Sequence, residues 1–343
     1  MSKRLMKRIL AHTFVLLTLL GLVRLQVFGG PSVAAVESQS NVLYIALAED
    51  AQYLRIAAQT SKYETRMERI DKADFLKGSL DLYKALESRR LSDAAGQRMI
   101  EELGRQILEP FQILIETADE IVFIVSDDLL EMPLDLLYHK GQPLFLQKPV
   151  SYRVTQPLGH VSGFSLPVSA LVVSDVTADP ERAAEKVASN FADSTYLDVT
   201  RVDPAYLRRQ HAFDLLIMSV HGQIDNTTAD HVVLGNGSGS ATDFSMIKPR
   251  LAYFDSCRLG VSNRFLKAFM KMGSLYFVAP VLSNEAGNSS TKTMQLFFKR
   301  LQEGMRPEIA LFHTRKELWD TYRDDRFAYR VWRAFPFRVY RLN

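Results

Sequence analysis

The strongest constraint on this chain is a rhythm that begins at Val168. Short apolar runs of buried-strand type, Val168 to Ser174, Phe213 to Val220, Leu251 to Phe254 and Ser274 to Val278, are interleaved with or followed by helical stretches. Those stretches are Pro180 to Ala192, Val261 to Met272, Ser290 to Glu303 and Pro307 to Tyr322. Continuous apolar strands suit a sheet covered on both faces, and helix-sized connections make neighbouring strands parallel. The pattern predicts an α/β fold, a mainly parallel sheet with helices on both faces. Pro180 and Pro307 fit first-turn helix positions, where the missing N–H costs nothing. Phe335 to Leu342 adds a last strand.

Upstream, Asn41 to Ala48 and Gln52 to Ala58 read as a hairpin around Glu49-Asp50. Helices follow at Asp74 to Leu86 and Ala94 to Ile115, the second broken or kinked at Pro110. Ile121 to Ser126 is a buried strand, Met132-Pro133-Leu134 starts a short helix or turn, and Lys140 to Pro149 is a hairpin marked by Gly and Pro. The chain therefore divides into a leader (1–35), an N-terminal hairpin-plus-helix part (41–166) and a strand–helix part (167–343).

The leader carries four cations in its first eight residues, a largely apolar run from Ile9 to Val23, and small residues before Val36. This describes a secretory signal peptide. The run is short for a spanning helix, yet residues 9–28 would reach the needed length if Arg24 snorkels, leaving an inner-membrane anchor open. The expectation is an exported or periplasmic protein, with a membrane tether as the variant. Composition follows the same division. The whole chain has 42 Lys+Arg and 39 Asp+Glu, a net charge of +3. Removing the five leader cations leaves 37 bases against 39 acids, so the remainder is slightly acidic. Nucleic acid is thus not an expected partner.

Cys257 is the single cysteine, which excludes an internal disulfide and a cysteine-rich metal cluster. Five further histidines, His139, His160, His211, His231 and His313, lack metal-ligand spacing, and no metal or cofactor is expected. Two strand ends carry the chemistry. Phe213 to Val220 runs into His221-Gly222, and Leu251 to Phe254 runs into Asp255-Ser256-Cys257-Arg258. In open parallel sheets the active crevice lies beyond the strands' carboxyl ends, so neighbouring strands would bring His221 and Cys257 to one edge. A thiol needs a base to become a nucleophile at neutral pH, and His221 supplies one. Gly222 lets a substrate carbonyl approach, and its N–H with that of Cys257 would form an oxyanion hole. Asp225 reads as a solvated loop residue, and Gly235 to Gly239 as a mobile turn at the cleft rim.

These boxes, Ser219-Val220-His221-Gly222 and Asp255-Ser256-Cys257-Arg258-Leu259-Gly260, resemble those of caspase-fold cysteine peptidases. Other segments narrow the resemblance to the CHAT family, which is also related to separases. They are Ile121 to Asp127 with Met132-Pro133-Leu134, Val233-Leu234-Gly235 with Thr242-Asp243-Phe244, and Ala279-Pro280-Val281. The helix bearing Thr291, Met294, Phe297 and Phe298, then Gly304, and Pro307 to Leu311 complete the series. The resemblance runs from Asn41 to Asn343 and departs from the family at Val281 to Glu285. It implies a caspase-like sandwich and a cysteine endopeptidase acting on proteins or peptides. Asp255 then sits where basic-specific relatives hold a P1 Arg or Lys, although the residue type alone equally suits a turn cap. An activating protein partner is left open. A silent interaction module and a thiol acyltransferase are the competing readings.

Overall fold

The computed structural model describes residues 41–60, 65–89, 92–154, 166–224 and 230–342. The leader and Asp225 lie outside these residues. The N-terminal part consists of β1 (Val42–Glu49), β2 (Tyr53–Thr60), β3 (Thr65–Asp71), α1 (Lys72–Ser88), α2 (Asp93–Ile107), α3 (Gln112–Thr117), β4 (Glu120–Val125), the short β5 (Tyr138–His139) and β6 (Gln142–Pro143), and β7 (Val150–Val154). The second part begins with β8 (Ser169–Ser174), α4 (Ala183–Ala188), β9 (Asp193–Asp198), α5 (Pro204–Arg208), β10 (Leu215–Ser219), β11 (Gly222–Gln223), β12 (His231–Leu234) and β13 (Gly237–Ser240). It ends with β14 (Leu251–Asp255), α6 (Asn263–Lys271), β15 (Tyr276–Pro280), α7 (Ser289–Gln302), α8 (Pro307–Thr321), α9 (Phe327–Ala334) and β16 (Phe337–Arg341).

Eleven of these strands form one sheet in the order β3-β2-β1-β4-β7-β16-β15-β14-β10-β8-β9. Most pairings are parallel; β1 with β2, β2 with β3, and β15 with β16 are antiparallel. The two parts of the chain therefore share one sheet, joined where β7 meets β16.

Side-chain alternation along the central strands creates two cores. Leu171, Val173, Leu216, Met218, Ala252 and Phe254 pack in one, with residues of α1, α2 and α6. Ala170, Val172, Leu215, Ile217, Leu251 and Tyr253 pack in the other, with residues of α4, α7 and α8. Successive side chains of a strand point to opposite faces, so this division means helices cover both faces, as the continuous apolar runs predict. Beneath the carboxyl end of β14, Phe254 meets Phe265 and Phe269 of α6 edge-on at 5.5 and 5.4 Å. Such aromatic pairs add about 0.5–1.5 kcal/mol each beyond area burial.

Several expectations need correction. Pro180 precedes its helix rather than opening it: α4 starts at Ala183, after Arg182 in the left-handed region (φ 55°). The Asp179 carboxylate accepts the N–H groups of Ala183 and Ala184, at 2.7 and 2.9 Å. Pro307 does open α8. Gly235 to Gly239 is not merely a turn, because Gly237–Ser240 forms β13 against β12. Strands β3, β7 and β9 and helix α9 were not apparent from periodicity. No helix among the described residues is long and apolar enough to cross a membrane.

Candidate active site

The sheet's parallel register assembles the site. Ser174, Ser219 and Asp255 are aligned across β8, β10 and β14, each at its strand's carboxyl end. The segments that leave these ends carry Asp175 to Thr177, His221-Gly222 and Cys257. The next strand, β15, ends at Pro280 and releases Val281 to Asn284. Four consecutive positions in the sheet thus supply one crevice edge.

His221-Gly222 and Cys257 are brought together. A Cβ added at Gly222 would lie 2.9 Å from the Cys257 carbonyl oxygen and 3.1 Å from its nitrogen, so only glycine fits without backbone movement. Gly222 opens β11, paired opposite Val232, while the Val233 N–H donates to the His221 carbonyl at 2.8 Å. In an antiparallel ladder the residue beside such a bonded position turns its N–H away from the partner strand. The Gly222 N–H is therefore directed away from β12. After Cys257 the chain bends through Arg258 in the left-handed region (φ 60°). Gly260 then crosses the end of β15, where a Cβ would come within 2.8 Å of the Ala279 and Pro280 carbonyl oxygens.

Cys257 is partly exposed. Burial pushes its thiol above the ordinary value, and the carboxylates of Asp255 and Glu87 push the same way. The backbone N–H groups of Asn284 and of Cys257 itself face the sulfur and pull it back. The resting thiol is accordingly protonated at neutral pH, and attack requires a base. The His221 ring is exposed, and its Nε2 lies 2.9 Å from the Thr177 hydroxyl. Among the described residues no hydrogen bond joins that ring to the sulfur.

Asp255 is 6% exposed and encircled by neutral donors. The Ser219 hydroxyl donates to Oδ2 at 3.0 Å, the Ser290 hydroxyl to Oδ1 at 2.5 Å, and the Asn284 amide also to Oδ1. Burial, with repulsion from Asp179, pushes its carboxyl up to about 6 against the pull of these donors. Beside it, the Asn284 Oδ1 is buried without a hydrogen-bond partner among the described residues. Two buried acceptors, the Asp255 carboxylate and the Asn284 Oδ1, thus lie side by side at this edge.

The loop bearing Asn284 is held from the N-terminal part of the chain. Glu87 of α1 accepts the Ser283 N–H at 2.9 Å and its hydroxyl as well. Tyr83 of α1 donates to the Val281 carbonyl at 3.0 Å and accepts from Arg258 at 2.9 Å, while Arg258 also pairs with Glu131 at 3.1 Å. Trp332 donates its indole N–H to the Ser283 carbonyl.

His221, Gly222, Cys257 and Asp255 all lie at this edge, as their strand-end positions predict. Thr177, Asp175, Asn284, Ser290 and Glu87 join the site without a motif of their own in the sequence. Strand-end logic applied to Val168–Ser174 would have flagged Asp175 to Thr177, and the departure at Val281 to Glu285 marked Asn284 without assigning it a task. Compared with protein-family models and with curated proteins, the chain matches none.

Proposed function

We propose that this chain is a cysteine endopeptidase of caspase-like, CHAT-type fold. The observation that carries this reading is the packing of His221-Gly222 against Cys257 beyond the ends of two adjacent parallel strands. His221 takes the Cys257 proton, the sulfur attacks the scissile carbonyl carbon, and the oxyanion is met by the N–H groups of Gly222 and Cys257. The C–N bond breaks as His221 returns the proton to the leaving amine. Water, deprotonated by His221, then cleaves the thioester and restores the thiol. Loss of one oxyanion donor costs about 2.7–4 kcal/mol in comparable sites.

A basic P1 side chain is the preferred substrate in this reading. Burying a carboxylate among neutral donors is costly, and an incoming cation offsets that cost through a charge-assisted bond. The free Asn284 acceptor supports the same choice. Export through the leader belongs to the reading, and N-terminal sequencing of the secreted protein tests it: a product beginning at Met1 indicates an anchor instead.

A second reading, a catalytically silent interaction module, is favoured by two observations: the raised thiol and the His221 ring bound to Thr177. The two readings separate on a peptide panel with Arg, Lys, Asp and apolar P1 residues. Cleavage that disappears in Cys257→Ala supports the peptidase, and no cleavage by either protein supports the module.

A further inference from the structure

We infer that Thr177, held by Asp175, is the positioning residue of the His221 base. The inference rests on the peptidase reading. It follows from the proton inventory of three side chains at the carboxyl ends of β8 and β10. Asp175 follows β8 and is tied to the neighbouring strand, its N–H donating to the Ser219 carbonyl at 2.9 Å. Its Oδ1 accepts both the N–H and the hydroxyl of Thr177, at 2.8 and 2.7 Å.

A hydroxyl has one proton to donate. With that proton on the Asp175 carboxylate, the Thr177 oxygen can only accept from His221, whose Nε2 is 2.9 Å away. Nε2 is therefore the protonated nitrogen, and Nδ1 is left with its lone pair. Nδ1 is the nitrogen that removes the Cys257 proton, and the Nε2–H bond holds the ring's orientation during the transfer. When His221 becomes an imidazolium, both ring nitrogens are donors and the Nε2–H···Oγ1 bond is kept. The Asp175 carboxylate at the far end of the chain then faces a positive charge. This is the orienting third group that a nucleophile–base pair requires. It differs from a directly bonded acid because a neutral hydroxyl lies between the base and the carboxylate. Asp175 is half-buried, and Thr177 and His221 are exposed, so replacing the hydroxyl leaves the cores untouched.

The test compares Thr177→Val, which keeps the branched shape and loses the hydroxyl, with Thr177→Ser, which keeps the hydroxyl. Two readouts are taken on the full chain. The first is the rate of alkylation by iodoacetamide at neutral pH, which reports Cys257 alone because the chain has no other cysteine. The second is kcat and KM on an arginyl fluorogenic peptide. Thr177→Val is expected to alkylate at least threefold more slowly than wild type, approaching His221→Ala. Its kcat is expected to fall roughly tenfold with KM unchanged. Thr177→Ser is expected to stay within twofold of wild type in both. The inference is overturned if Thr177→Val matches or exceeds wild type, or if Thr177→Ser is as impaired as Thr177→Val. Should no peptide be cut by wild type, the peptidase reading fails while the alkylation series still decides the role of Thr177.

Discussion

Gly222 lies against the backbone of Cys257 so closely that a side chain at 222 would come within 2.9 Å of the Cys257 carbonyl oxygen. The contact couples two boxes separated by the whole segment from β11 to β14. It places His221 and Cys257, the proposed base and nucleophile, on adjoining backbone, although their side chains are not hydrogen-bonded to one another among the described residues. Substrate binding between them is the step at which such pairs tighten.

Gly222→Ala must therefore move backbone rather than side chain. Displacing an oxyanion donor lowers kcat by about a hundredfold or more, as for other lost donors. The expected result is that fall in kcat with a cooperative melt retained. Steady-state kinetics beside a thermal melt checks it; unchanged kcat would remove Gly222 from the oxyanion hole.

Asp255→Asn separates stability from specificity. The folded carboxyl titrates near 6, above its ordinary 3.8, because it is buried. An acid with a raised pKa binds its proton more tightly in the folded state, so stability falls as pH rises from about 4 to 6. The penalty is complete above that range, on the order of 3 kcal/mol from about 1.4 kcal/mol per pKa unit. Asp255→Asn is expected to melt higher than wild type at pH 7.5 and equally at pH 4. Melts at the two pH values test this, and equal differences at both would contradict it.

If the same carboxyl binds a basic P1 side chain, as proposed, selectivity depends on pH. Below about 6 it is protonated and would no longer attract the cation of such a side chain. The kcat/KM ratio for arginyl over apolar P1 peptides is expected to fall as pH drops from 7.5 to 5. Asp255→Asn should hold a low, flat ratio throughout. A wild-type ratio independent of pH would detach Asp255 from P1 recognition.

Glu87 anchors the Ser283–Asn284 loop from a helix 196 residues upstream. Glu87→Ala leaves the Ser283 N–H without its acceptor, a cost of about 1–3 kcal/mol for a buried donor and less here because the pair is partly exposed. A lower melting temperature and a loss of basic P1 preference are expected together. Glu87→Gln, which keeps an acceptor oxygen, should retain most of the preference. Substrate profiles of the two variants check this, and identical losses in both would assign the effect to charge rather than anchoring.

The parts of this molecule legible in the sequence were those written in apolar runs. Strands β8, β10, β14 and β15 are covered on both faces, so their residues announce them without reference to distant partners. The strand-end positions of His221 and Cys257 follow from the same runs. Strand β3, reading Thr-Arg-Met-Glu-Arg-Ile-Asp, is an edge strand with little buried surface and carries no such signal. Strand β9 lies at the opposite edge and is similarly polar. The supports of the site were illegible for another reason. Thr177, Asn284 and Ser290 act through hydrogen bonds fixed by strand order, and Glu87 reaches Ser283 only because both parts share one sheet. Neither relation leaves a periodic trace.

The central claim is that Cys257 is a nucleophile served by His221. Unbiased profiling of a peptide library with the mature protein, run beside Cys257→Ala and His221→Ala, tests it most directly. The account expects cuts after Arg or Lys with wild type and none above background with either variant. Cuts that persist in Cys257→Ala, or a wild-type protein that cuts nothing, would contradict it.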